Sequence, residues 1–124
     1  MEPVMTENAP KAIGPYSQLI AYKDLIFLSG QIPINPATGS IEGSTIEEQA
    51  ERALKNLEAI LVAAGSNLSK VAKCTVFLSD INDFAAFNTV YGKKFGQNPP
   101  ARSTVQVARL PRDAKIEIEA IAFR

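Results

Sequence analysis

Polar and apolar residues alternate at the end of the chain, over Lys115–Phe123. Period two puts Ile116, Ile118, Ala120 and Ala122 on one face of a strand and Lys115, Glu117 and Glu119 on the other. Each step of two residues spans about 7 Å. A second strand is expected from Arg102 to Ala108, just after the Pro99–Pro100 turn, with Leu110–Ala114 joining it to the last strand. An arginine that grips a carboxylate, near a glutamate that orients water, would make a small-molecule site. On this stretch alone the plainer reading, that these charges solvate the outer face of a sheet, is the stronger one, and the site reading stays open beside it.

The rest of the chain supplies the partners of these strands. Residues 1–15 read as irregular, broken by Pro3, Pro10 and Gly14–Pro15. Tyr16–Tyr22 and Leu25–Ser29 read as a β-hairpin about Lys23–Asp24. The second of these strands is almost wholly apolar, which predicts that both its faces are covered. Ile32–Gly43 is a loop with two prolines and two glycines. A helix starts near Thr45, where Thr45 and Glu48 fit a capping box, and Gly65 stops it. Its apolar stripe runs from Ile46 through Leu54, Leu57 and Leu61 to Ala64. Val71–Leu78 reads as a strand. A second helix follows Asp80–Asp83, with Phe84, Phe87, Tyr91 and Phe95 on one stripe and Asn88 at its edge. Asn88 is either a satisfied structural amide or a ligand contact.

The order β-β-α-β-α-β-β predicts a single two-layer α+β domain over 1–124, with two helices on one face of a mixed sheet. Its strands carry apolar residues on both sides. That excess predicts a second buried face, most simply against copies of the same chain.

Composition narrows the chemistry. Lys plus Arg and Asp plus Glu number 13 each, for zero net charge. The chain has neither the basic surplus nor the basic stripe that phosphate backbones require, so no nucleic-acid partner is expected. No apolar run is long enough to cross a membrane. Met1–Asn8 has neither a secretory nor an Arg-rich transit pattern, which fits a cytoplasmic protein or the mature form of a mitochondrial one. Histidine is absent and Cys74 is the single cysteine. His-dependent triads, Cys-His dyads and the common zinc sites are therefore excluded, and no metal site is expected. Cys74, with no base or cation visible beside it, reads as a structural thiol.

Five separated segments, in order, carry a resemblance. They are Ile13–Gly14–Pro15–Tyr16–Ser17; Phe27–Leu28–Ser29–Gly30–Gln31–Ile32–Pro33; Ile81–Asn82–Asp83–Phe84; Pro100–Ala101–Arg102–Ser103; and Val107–Ala108–Arg109–Leu110–Pro111 through Ile116–Ala122. Together they resemble the Rid (YjgF) family, RidA branch, from about Asn8 to Phe123. The resemblance implies a chorismate-mutase-like fold, a homotrimer and sites in the clefts between subunits. It also implies an activity without a cofactor: hydrolysis of 2-imino acids such as 2-iminopropanoate and 2-iminobutanoate to 2-oxo acids and ammonia. Such imines are released by pyridoxal-phosphate enzymes such as threonine dehydratase.

By the same resemblance Arg102 clamps the substrate carboxylate and Glu117 positions or deprotonates the attacking water, while Glu119 has no such role. Tyr16, Ser29, Gly30 and Asn88 line the pocket. Thr104 stands where many RidA-like chains have cysteine, so its backbone can still meet a ligand but no thiol chemistry is possible there. Two other readings stay beside the deaminase. One is a non-enzymatic carboxylate-binding or chaperone-like trimer. The other is an RNA-cleaving translation inhibitor, which the charge balance disfavours.

Overall fold

Strand β6 (Ile116–Phe123) runs through the middle of the sheet, and its alternation sets the two faces. In the computed structural model, which describes residues 1–124, Ile116, Ile118, Ala120 and Ala122 are buried under the helices. Glu117, Glu119, Ile121 and Phe123 point to the other side. The remaining strands are β1 (Glu2–Val4), β2 (Leu19–Tyr22), β3 (Leu25–Gln31), β4 (Val71–Leu78) and β5 (Ala101–Gln106). They form one six-stranded sheet in the order β1-β2-β3-β6-β4-β5. β4 and β5 pair in parallel, and every other pair is antiparallel. The sheet is therefore mixed, as the pattern predicts.

Helix α1 (Ile46–Ala63) connects β3 to β4, and α2 (Phe84–Phe95) connects β4 to β5. α1 forms because its apolar positions recur at helical spacing and its start is capped from both sides. The Thr45 hydroxyl accepts from the Glu48 N–H at 3.2 Å, and the Glu48 carboxylate accepts from the Thr45 N–H at 3.3 Å. Gly65, at φ +79°, turns the chain after the helix in a conformation that a side chain resists. Leu54, Leu57, Ile60 and Leu61 are fully enclosed with Ile26, Val76, Ile116 and Ile118 of the sheet.

Two polar side chains inside this layer hold the loops. Asn56 donates to the carbonyls of Ile32 (3.2 Å) and Ile34 (2.9 Å). Gln49 donates to the Gly43 carbonyl at 3.1 Å and accepts from the Lys115 N–H at 2.8 Å. Both are buried, so these bonds offset the cost of removing an amide from water.

Four expectations change. Residues 2–4, read as irregular, add an edge strand on β2. The first hairpin strand begins at Leu19 rather than Tyr16, and β5 ends at Gln106 rather than Ala108. β3 is not covered on both faces within one chain: Leu25 and Phe27 alternate outward with the buried Ile26 and Leu28, and Phe27 is 42% exposed. Phe27, Ile121 and Phe123 form an exposed apolar patch on the side away from the helices, next to Lys73 and Glu119, and Val105 is exposed farther along on β5.

Candidate functional site

On β5 the residues Arg102, Thr104 and Gln106 pair with Cys74, Val76 and Leu78 of β4. Those β4 residues face the helices, so Arg102 and Thr104 do too. The Arg102 guanidinium carbon lies 4.7 Å from the ring centre of Tyr91, 5.3 Å from that of Phe87 and 5.4 Å from that of Phe84. These rings are the stripe of α2. The chain's ion pairs are Arg52–Glu42, Lys94–Glu51, Arg109–Asp113 and Arg124–Glu2, so no carboxylate pairs with Arg102. The guanidinium is held by aromatic faces and remains free to take an anion.

The neighbourhood of Arg102 is otherwise polar but unsatisfied. The Thr104 hydroxyl and the Tyr91 hydroxyl are buried without a hydrogen-bond partner. Cys74 is fully buried beside them. Burial pushes its thiol up, against smaller opposing effects of the Tyr91 hydroxyl and the Arg102 charge. Burial likewise pushes the Tyr91 phenol up. Cys74 thus does have a cation next to it, one that the linear sequence hides, yet enclosure keeps it a neutral thiol. Asn88 is half-buried, one turn after Phe84 and three residues before Tyr91, which puts it on the same side of α2.

A second group of residues gathers where β3 meets β6. The register pairs Leu28 with Ala120 but Gln31 with Ile118, so Ser29 and Gly30 bulge from the ladder. The bulge makes room for Glu117. A Cβ built on Gly30 would stand 2.1 Å from Oε1 of Glu117, so the carboxylate lies directly over the glycine backbone. Glu117 is half-buried, and burial, followed by the charge of Glu119, raises its carboxyl above the ordinary carboxylate value.

The Ser29 hydroxyl donates to the Ser17 carbonyl at 2.5 Å, and the Ser29 N–H donates to the Gln18 carbonyl at 2.9 Å. Buried Gln18 in turn donates to the carbonyls of Pro10 (2.7 Å) and Thr6 (3.2 Å) and accepts from the Thr6 N–H at 2.8 Å. This staple fixes the segment that carries Tyr16. Tyr16 follows Gly14, at φ +122°, and is half-exposed along a groove of about 610 Å³ beside Val4, Lys11 and Ser17.

The predicted site residues therefore fall into two clusters within one chain. Arg102, Thr104 and Asn88 lie on the helix side of the sheet. Gly30 and Glu117 lie at the β3–β6 bulge with Ser29, and Glu117 points to the opposite side. Arg102 and Glu117 are separated by β4 and do not meet. The linear sequence does not reveal that the α2 aromatics surround Arg102. Their helical spacing was visible, but it marked them only as core.

The family described as endoribonuclease L-PSP matches residues 6–124. The chain belongs to this family, the YjgF/Rid family. A RutC family protein of Pyrococcus horikoshii is 54% identical over 123 residues, which covers 99% of this chain and 98% of the relative. An Escherichia coli relative that bears the name "Putative reactive intermediate deaminase TdcF" is 49% identical, with 98% of this chain and 95% of that one covered. The solved structure of E. coli TdcF with bound serine superposes with a TM-score of 0.94 at 47% identity, over 100% of this chain and 99% of that one. The YjgF gene product of E. coli gives a TM-score of 0.94 at 48% identity, with the same coverage. The two-helix, six-stranded architecture is thus that of YjgF/Rid proteins. No helix of the chain is long and apolar enough to cross a membrane.

Proposed function

We propose that this chain is a hydrolytic deaminase of reactive 2-imino acids, with 2-iminopropanoate and 2-iminobutanoate as substrates. The observation that carries the reading is the Arg102 guanidinium, which has no carboxylate of its own and sits partly open at the edge of α2. A planar fork in that state suits a small carboxylate, which it can bind through two parallel hydrogen bonds. The deaminase name of TdcF and the serine in its structure support a small amino-acid-like ligand.

The site is completed between copies in a homotrimer. One subunit contributes Arg102, Asn88 and the Thr104 backbone, and its neighbour contributes Glu117, Ser29, Gly30 and Tyr16. Two half-sites directed to opposite sides of a sheet suit that arrangement. The exposed apolar face around Phe27 and Ile121 supports a covering copy.

The chemistry needs little. A protonated imine carbon is already electrophilic. Arg102 holds the carboxylate, and Glu117 accepts a proton as the oxygen of water bonds to that carbon. The resulting carbinolamine takes the proton back on nitrogen. Its C–N bond then breaks and ammonia leaves, while the hydroxyl gives its proton to Glu117 and becomes the 2-oxo group; Glu117 passes that proton to the ammonia, which departs as ammonium. Each proton that Glu117 takes is returned, so the chain's own groups are restored after each turnover. The elevated affinity of Glu117 for a proton suits this exchange.

The test couples the purified protein to threonine dehydratase and threonine, with semicarbazide present to trap free imine. Faster 2-oxobutanoate formation that is lost in Arg102→Ala is the expected result. If nothing changes while the protein still binds 2-oxobutanoate, the reading as a carboxylate-binding module replaces the enzyme. RNA cleavage with steep salt dependence would instead support the activity in the family's description.

A further inference from the structure

We infer that Phe84, Phe87 and Tyr91 form a positioning cradle for Arg102, which orients the guanidinium fork without neutralising it. The inference rests on the proposed role of Arg102 as a carboxylate clamp, and it assigns to α2 a task beyond packing.

An arginine inside a protein is ordinarily held by a carboxylate, which fixes the fork but also occupies it. Here three ring centres lie within 5.4 Å of the guanidinium carbon, and no acidic group pairs with it. The negative face of an aromatic ring attracts a cation while making no hydrogen bond to its N–H groups. The fork therefore loses rotamer freedom before a ligand arrives and keeps its donors for that ligand. A cradle of acidic side chains at the same distances would compete with every incoming carboxylate.

The rings are themselves fixed. Phe87 is fully buried and Tyr91 is 4% exposed. The Phe87 and Tyr91 centres are 5.3 Å apart, and those of Tyr91 and Phe95 are 4.5 Å apart, in tilted arrangements. Phe84 is 38% exposed and forms the rim. The guanidinium carbon stands over the Tyr91 ring and makes no hydrogen bond to the Tyr91 hydroxyl, so the ring face is what Arg102 uses. Tyr91 is the nearest of the three.

The cradle predicts a loss confined to charged ligands. Calorimetric titration would compare 2-oxobutanoate with its uncharged amide, in the wild type, Tyr91→Leu, Tyr91→Phe and Phe84→Leu. Tyr91→Leu is expected to weaken 2-oxobutanoate roughly three- to tenfold, from the loss of one cation–π contact, and to leave the amide unchanged. Tyr91→Phe restores the affinity because it keeps the ring face. In turnover the Tyr91→Leu loss falls on KM more than on kcat. Phe84→Leu, at the exposed rim, decides the matter if Tyr91→Leu does not fold. Equal weakening of both ligands, or none in either leucine variant, overturns the cradle and leaves these rings a packing role. A wild type that binds 2-oxobutanoate no better than Arg102→Ala does would instead remove the clamp itself, and the cradle with it.

Discussion

Glu117 rests on Gly30, and the contact leaves no space for a side chain: a Cβ there would lie 2.1 Å from the Glu117 Oε1. Gly30 therefore sets where the carboxylate points. In Gly30→Ala the flexible end of the Glu117 side chain, which supplies the atoms nearest the new methyl, must swing away. Turnover of the imine is expected to fall about 100-fold or more, the scale of losing a placed general base. Far-ultraviolet circular dichroism should show the strands retained. Unchanged turnover in Gly30→Ala would mean that this placement of Glu117 has no part in the reaction.

The proton on Glu117 makes activity and stability depend on pH in opposite senses. Its carboxyl is raised in the folded chain, by burial first and Glu119 second. In its proposed role as a base it must be ionised, so the acid limb of kcat/KM is expected to be displaced upward from the ordinary glutamate value. For stability, a raised carboxyl means that the folded chain binds the proton more tightly than the unfolded chain. Stability then falls as pH rises from the unfolded value through the folded one, and stays lower above it. Glu117→Gln removes that penalty. It should melt higher than the wild type at neutral pH, and the gain should vanish below the unfolded carboxylate range. Thermal melts at several pH values check the sign.

The outer face of the sheet predicts self-association. Phe27 projects from β3 opposite Ile121 of β6, on the side away from the helices. Phe27→Glu replaces an exposed aromatic ring of the Phe27–Ile121–Phe123 patch with a charge. Analytical ultracentrifugation should show the species shift from the proposed trimer to a single chain, with a mass of 13.4 kDa. The imine activity should fall with it, since the proposed site draws on two subunits. A monomeric wild type at assay concentrations with full activity would rule out the shared site.

The cap of α1 gives a stability prediction independent of function. Thr45→Ala removes the hydroxyl that accepts from the Glu48 N–H, and with it one half of the reciprocal pair. The cost is about 1 kcal/mol, read as a lower denaturant midpoint with an unchanged slope. The same substitution should leave the affinity for 2-oxobutanoate untouched.

Much of the fold was legible because its strongest signals are local. The α1 stripe, its Thr45–Glu48 cap, the alternation of β6 and the Lys23–Asp24 turn each follow from side chains a few residues apart. β1 was not legible. Its three residues include Pro3, and such a short edge strand is held mainly by main-chain bonds that side-chain patterning does not encode. Nor was the bulge at Ser29–Gly30, which depends on how β3 registers against a strand almost 90 positions later.

The sequence by itself determined the two-layer α+β class, the identity of the core residues and, through its separated motifs, the family to which the chain belongs. It also singled out Arg102 and Glu117 as the candidate clamp and base. Only the tertiary structure decided their relation. Ala101–Gln106 has no clean alternation, so the side toward which Arg102 points is set by parallel pairing with Cys74 and by the rings of α2. Glu117 points the other way because Ile116 and Ile118 take the core side of β6. Side-chain periodicity is a property of one strand, whereas the face that two strands share is a property of their register, and that is settled only when distant segments pack together.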